Sequence, residues 1–170
     1  MKNIGVIGLG DMGSGIALNL IKNGFKVFGS DLLPARQEAF KEMGGSLETS
    51  ISDIGKKCDA VFVMVMNGSQ AKSIIFDEDG LAKNMEEGST VILSATIKPS
   101  EAEEIGQLIK DTGIKFIDTP VSGGFPGAQS GTLTLMASAS EDVMSKNRDV
   151  LQAISSNIHH VGMEPGQGQT

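Results

Sequence analysis

The segment IGVIGLGDMGSGIALNL, residues 4–20, opens on an apolar run and closes on an amphipathic one. Residues 4–7 read as a strand. Residues 12–22 read as a helix, because Ile16 with Leu20 and Ala17 with Ile21 fall at i, i+4. Asn23-Gly24 ends that helix, glycine being the usual residue just past a C-terminus. Between strand and helix lies GLGDMG, residues 8–13, a G-x-G-x-x-G pattern. Alone the pattern is weak, since glycines fall into it by chance. In this context it describes a tight turn at Gly8, a close ligand approach at Gly10 and helix-on-strand packing at Gly13. Gly8, Leu9, Gly10, Asp11, Met12 and Gly13 are therefore candidates to hold a dinucleotide pyrophosphate at a helix N-terminus. The competing explanation is a glycine-rich turn with no ligand.

The rest of the chain continues the alternation. Strands are expected at 25–29, 61–66, 90–93, 114–117, 131–137 and 157–161. Helices are expected from Pro34 to the Gly44-Gly45 pair, over 100–110 and over 141–154. Strands separated by helices imply βαβ units with right-handed crossovers. The fold class is α/β: a Rossmann-like doubly wound, mostly parallel sheet with helices on both faces. Continuous apolar strands fit a sheet buried on both sides.

The second half of a dinucleotide fingerprint is an acid at the end of the second strand. Asp31, in VFGSDLLP, stands there. A carboxylate at that place accepts from a ribose 2′-OH and repels a 2′-phosphate, so NAD is expected over NADP. The alternative is that Asp31 only starts the next turn. Arg36 is close enough to soften the preference but is expected to point out of the following helix.

Composition limits the partners. The chain has 170 residues, 39% hydrophobic and 21% charged, as in a soluble globular domain. A net charge of −7 argues against non-specific nucleic-acid binding. No apolar run approaches membrane-spanning length. The single cysteine, Cys58, reads as a small core residue. With no signal peptide in view, the cytoplasm is the expected compartment.

One further stretch needs explaining. DTPVSGG, residues 118–124, follows an apolar strand. Pro120 has no N–H for a sheet ladder, and two glycines let the backbone approach something closely. Together with the opening segment it resembles the β-hydroxyacid dehydrogenase family, which includes 3-hydroxyisobutyrate dehydrogenase and tartronate semialdehyde reductase. In that family the signature has Ala where this chain has Thr119, and Ser-Ser-Thr where this chain has Ser94-Ala95-Thr96. VMVMN, residues 63–67, also resembles the family. GSDLLP, FDEDG, SATI, TLMASAS and PGQGQT look most like the branch acting on four-carbon sugar acids such as threonate.

The resemblance implies a set of roles. Ser122, Gly123 and Gly124 would hold a small hydroxy-acid substrate. Val65, Met66 and Thr96 would touch the cofactor, with plain packing a rival for the methionine. Residues 1–161 would form the NAD-binding domain, and 162–170 the start of a linker to an all-α second domain not in this chain. The catalytic base would be a lysine just past Thr170, after the Gly166–Gly168 turn. The fragment would then be inactive by itself, and the longer protein a homo-oligomer. No metal is expected. His159 and His160 read as ordinary strand-edge residues. Two rivals remain at this point. One is a non-catalytic dinucleotide-sensing module. The other is an imine reductase, whose NADP preference and missing Ser-Gly-Gly fit Asp31 and Ser122 poorly.

Overall fold

The computed structural model describes residues 2–48, 50–65, 67–94 and 97–167. Six parallel strands make the body of the sheet. They are β1 (Asn3–Ile7), β2 (Lys26–Ser30), β3 (Ser46–Leu47), β4 (Ala60–Val63), β5 (Thr90–Leu93) and β6 (Lys115–Asp118). Their order is β3-β2-β1-β4-β5-β6, so the chain reverses its direction of travel between β1 and β4. Ligands of open α/β sheets bind at such a switch point, beyond the strands' carboxyl ends.

The helices lie on both faces. One face carries α1 (Asp11–Lys22), α2 (Pro34–Glu42), α7 (Gly124–Ser130), α8 (Glu141–Lys146) and α9 (Arg148–Ile154). The other carries α3 (Ile51–Lys57), α4 (Gly68–Phe76), α5 (Leu81–Asn84) and α6 (Pro99–Ile109). Alternate strand residues feed the two cores. Phe62 and Ile92 pack with Ile16 and Leu20 of α1, whereas Val61, Val63 and Leu93 pack with Ile75 and Ile105. A strand buried on both faces has no reason to alternate with polar residues, which explains the unbroken apolar runs.

The far edge is antiparallel. β7 (Val121–Ser122) pairs with β8 (Leu133–Ser138), which meets β6 only at Asp118↔Ser138. β9 (Ser155–Gly162) then adds parallel to β8. Pro120 interrupts the ladder for its missing N–H, but its carbonyl accepts from Met136 N at 3.1 Å. The chain resumes pairing at Val121.

Several elements differ from expectation. β4 stops at Val63 and not at residue 66, because its neighbours end opposite it, at Ile7 and Leu93. The helix expected over 141–154 is broken at Asn147, whose side chain donates to Thr90 Oγ1 of β5 at 3.0 Å and to Val143 O at 2.9 Å. Four elements, β3 and α3 to α5, have no counterpart among the expected ones. Ser50 caps α3 by accepting from Asp53 N, and Asn67 caps α4 by accepting from Gln70 N.

After β9 the chain folds back onto α6. Pro165 sits where Gly106 has no side chain, since a Cβ there would overlap the proline ring. Gly166, at φ +94°, donates its N–H to the Asp118 carboxylate at 2.9 Å.

Candidate functional site: the carboxyl edge of the sheet

The three glycines of the first loop differ in what surrounds them. Gly8 has φ +96°, and a Cβ there would collide with the Met64 carbonyl. A Cβ at Gly13 would overlap the Gly8 carbonyl. Both glycines are thus required by the protein's own packing. Gly10 is different. Its φ is −71°, open to any residue, and the nearest atom to an added Cβ is 3.5 Å away in the Arg36 guanidinium. The neighbour over Gly10 is the far end of a flexible side chain and not backbone, so it can yield to a ligand pressed against the loop.

Gly10 is also the N-cap of α1, with no side-chain cap. The first helical i→i−4 bond runs from Ser14 N to Gly10 O at 2.8 Å. The N–H groups of Asp11, Met12 and Gly13 precede it, at the positive end of the helix dipole. Leu9 plays another part: its side chain is 2% exposed, and its N–H donates to Asp31 Oδ2 at 2.7 Å. Asp31 therefore braces the glycine loop. Its other oxygen accepts from Leu33 N at 2.9 Å.

A cleft of about 750 Å³ opens between the ends of β1, β2 and β4 and the start of α4. Gly8, Asp31 and Val65 line it, as do Arg36 and Asn67. Arg36 corrects the expectation that it points away. Its guanidinium lies over Gly10 and pairs with Asp31 Oδ2 at 3.5 Å, because the bare glycine leaves room and the carboxylate supplies charge. Leu32 stands on the rim, 95% exposed. Arg36 and Leu32 carry no motif that would single them out in sequence; only their position just after Asp31 hints at them. Asn67 could have been found from its place between an apolar strand and a helix. Met66 and Thr96 fall outside the described residues.

Ser122, Gly123 and Gly124 lie on the same edge but outside this cleft, exposed and leading into α7. Gly123 and Gly124 have φ of +125° and +60°. The turn leads into α7, which packs against the helix that follows the 8–13 loop. A Cβ at Gly15 of α1 would be 2.6 Å from Ala128 Cβ of α7, so the two helices touch almost backbone to backbone.

Cys58, His159 and His160 do not line this cleft. Cys58 is buried under Gly5, and burial, with smaller help from Asp59 and Glu48, pushes its thiol up to about 12. His159 and His160 are exposed on β9, and His160 Nε2 contacts the Ala139 carbonyl at 2.6 Å. Among the described residues no group of three or more His, Cys, Asp or Glu could hold a metal ion. No helix among them is long and apolar enough to cross a membrane.

This geometry has known counterparts. The family model for the NAD binding domain of 6-phosphogluconate dehydrogenase matches residues 3–162. The chain belongs to this family. It is 40% identical to L-threonate dehydrogenase of Cupriavidus necator over 167 residues, 98% of this chain and 56% of that protein. It is 34% identical to mitochondrial 3-hydroxyisobutyrate dehydrogenase of Mus musculus, over 98% of this chain and 50% of that one. A crystal structure of 3-hydroxyisobutyrate dehydrogenase from Salmonella typhimurium superposes with a TM-score of 0.94 at 33% identity, covering 99% of this chain and 59% of that chain. The chain thus spans about half the length of the relatives it matches. The domain is a nicotinamide-dinucleotide-binding one, and the expected doubly wound sheet is the fold observed.

Proposed function

We propose that this chain is the NAD-binding half of a dehydrogenase that transfers hydride between a small hydroxy acid and NAD. The observation that carries the reading is Gly10 beside Asp31, faced by a movable side chain and not by backbone. A loop built by its own packing around Gly8 and Gly13 leaves one glycine whose nearest neighbours are side-chain atoms, next to a carboxylate suited to a ribose. The N–H groups of Asp11, Met12 and Gly13 would hold the pyrophosphate, and Gly8 and Val65 would form the cleft floor. When bound, NAD supplies the hydride acceptor. Met66 and Thr96 are assigned to the cofactor by resemblance.

The Ser122–Gly124 turn would orient the acid, with the Ser122 hydroxyl donating to it and the glycines keeping the wall close. As the substrate's C–H bond yields hydride, its hydroxyl proton needs an acceptor, assigned by resemblance to a lysine beyond Thr170. The similarity to L-threonate dehydrogenase favours a four-carbon sugar acid. We assign residues 1–161 to the cofactor domain, and the longer protein to a cytoplasmic homo-oligomer.

Arg36 supports a second reading of cofactor choice. A guanidinium beside Asp31 is placed to accept a 2′-phosphate, so NADP is a poorer ligand but not an excluded one. Titrating NADH and NADPH by fluorescence separates the two. Asp31→Ala should shift the ratio of dissociation constants toward NADPH, and Arg36→Ala should shift it toward NADH. An unchanged ratio in Asp31→Ala removes Asp31 from cofactor selection.

Turnover is measured on the protein at the full length of its relatives, following NADH absorbance with L-threonate, D-threonate, D-glycerate and 3-hydroxyisobutyrate. Oxidation of a threonate supports the four-carbon assignment. Oxidation of another acid keeps the dehydrogenase and discards that substrate. Tight NADH binding with no turnover on any acid favours a dinucleotide sensor.

A further inference from the structure

We propose that Asn19 is a positioning residue that sets the substrate turn against the dinucleotide loop, acting through the backbone of α7. The inference rests on the reading above that the Ser122–Gly124 turn holds the hydroxy acid.

Asn19 lies in the third turn of α1 and is 6% exposed. Its Nδ2 donates across the helix interface to Ala128 O at 2.7 Å and to Gln129 O at 2.9 Å, and lies 3.0 Å from Gly15 O in its own helix. The two carbonyls it reaches belong to the last turn of α7. Carbonyls there lack an i+4 helical partner, and Ala128 O has besides Asn19 a long 3.4 Å bond from Gly131 N. Asn19 thus supplies, from another helix and 109 residues away in sequence, the donors that end α7. Gly131 makes room for it. That residue leaves the helix at φ +71°, and a Cβ there would be 2.8 Å from Asn19 Oδ1.

The consequence follows from length. α7 has seven residues, too few to hold a helix by propensity. Its position comes from what it packs against. At its N-terminus are Gly123 and Gly124; at the N-terminus of α1 is the loop 8–13. One amide therefore links the end of α7 to the helix that starts at the cofactor loop. The residue type is specific. Aspartate has the shape but lacks the donors, and leucine would remove both, leaving Ala128 O with the long 3.4 Å bond from Gly131 N.

The test uses the protein at the full length of its relatives, with L-threonate and 3-hydroxyisobutyrate as probes. Asn19→Asp and Asn19→Ser are compared with Ser122→Ala. In Asn19→Asp the KM for the acid should rise tenfold or more while the NADH dissociation constant stays within twofold. Asn19→Ser, which keeps one donor, should recover part of the difference. A merely structural role lowers the amount of folded enzyme, and so the maximal rate, with KM unmoved; that result overturns the proposal. A parallel loss of NADH affinity overturns it too, since Asn19 would then hold the glycine loop. If Ser122→Ala leaves KM unchanged, the substrate reading itself has failed. If Ser122→Ala raises KM and Asn19→Asp does not, only the role of Asn19 has failed. Should Asn19→Asp not fold, Asn19→Ser still decides, and amide hydrogen exchange gives a second measure. Exchange over 123–130 should quicken in that variant while exchange over 14–20 stays slow; equal rates in both segments overturn the proposal.

Discussion

The two glycine turns on the carboxyl edge are built on different principles. In the loop 8–13, Gly8 and Gly13 are dictated by packing: other backbone atoms occupy the space a Cβ would take. In the turn 122–124, packing asks for little. A Cβ at Gly123 would be 3.3 Å from Leu133 Cδ2, and one at Gly124 would be 3.8 Å from Pro126. There the glycines are dictated by backbone conformation, with φ of +125° and +60°. The first loop is seated in a parallel sheet covered on both faces. The second is exposed and leads into a helix that relies on a neighbour's amide. The first loop is thus held by its own packing, while the second depends on the contact between α1 and α7.

The comparison can be broken by substitution, in falling order of effect on stability at neutral pH. Gly13→Val should be the most damaging, costing about 3 kcal/mol or more, since the colliding atom is a backbone carbonyl that cannot move aside. Urea or thermal unfolding measures it. Near-native stability would mean that the loop is not packed as described. Gly123→Ala should cost about 1–2 kcal/mol through backbone strain alone. NADH binding should survive it, and a loss of NADH affinity would show that the two turns are not separable. Gly10→Ala should change stability by less than about 1 kcal/mol, because alanine's poorer N-cap is offset by a less flexible unfolded chain. Its NADH dissociation constant should nevertheless rise at least tenfold. If it binds NADH normally, the space above Gly10 is not where the dinucleotide lies.

The smallest effect at neutral pH belongs to Cys58. Its thiol is pushed from 9.0 up to about 12 by burial first, then by Asp59 and Glu48. The folded chain keeps that proton where the unfolded chain has lost it. Stability should therefore fall as pH rises between 9 and 12, and Cys58→Ala should flatten that part of the curve. An unchanged slope would mean that the thiol is not sealed beneath β1.

Much of the dinucleotide end could be read from sequence, because local pattern and tertiary demand agree there. Gly8, Gly13 and Asp31 are where a strand–turn–helix needs them. The antiparallel edge was harder. GFPGAQS, with its glycines and Pro126, looks like a loop, and becomes α7 only through Gly15 and Asn19 of a distant helix. Asn19 itself looks like any polar residue on an amphipathic helix. The break at Asn147 depends on a hydroxyl from β5, 57 residues earlier. The direction of Arg36 is not legible because that of a long side chain is decided by what lies nearby, here a carboxylate and a glycine without a side chain. In each case the missing information was a tertiary contact that no local pattern records.

The tail carries a consequence for how the protein is made. Asp118 is fully buried at the end of β6, and its carboxylate takes the N–H of Gly166, 48 residues later. The six parallel strands are complete once Asp118 has left the ribosome. The acid at the end of the sixth gains this contact only after those 48 residues have been synthesised. The edge that carries the Ser122 turn is therefore tied down by a glycine that follows β9 in the chain.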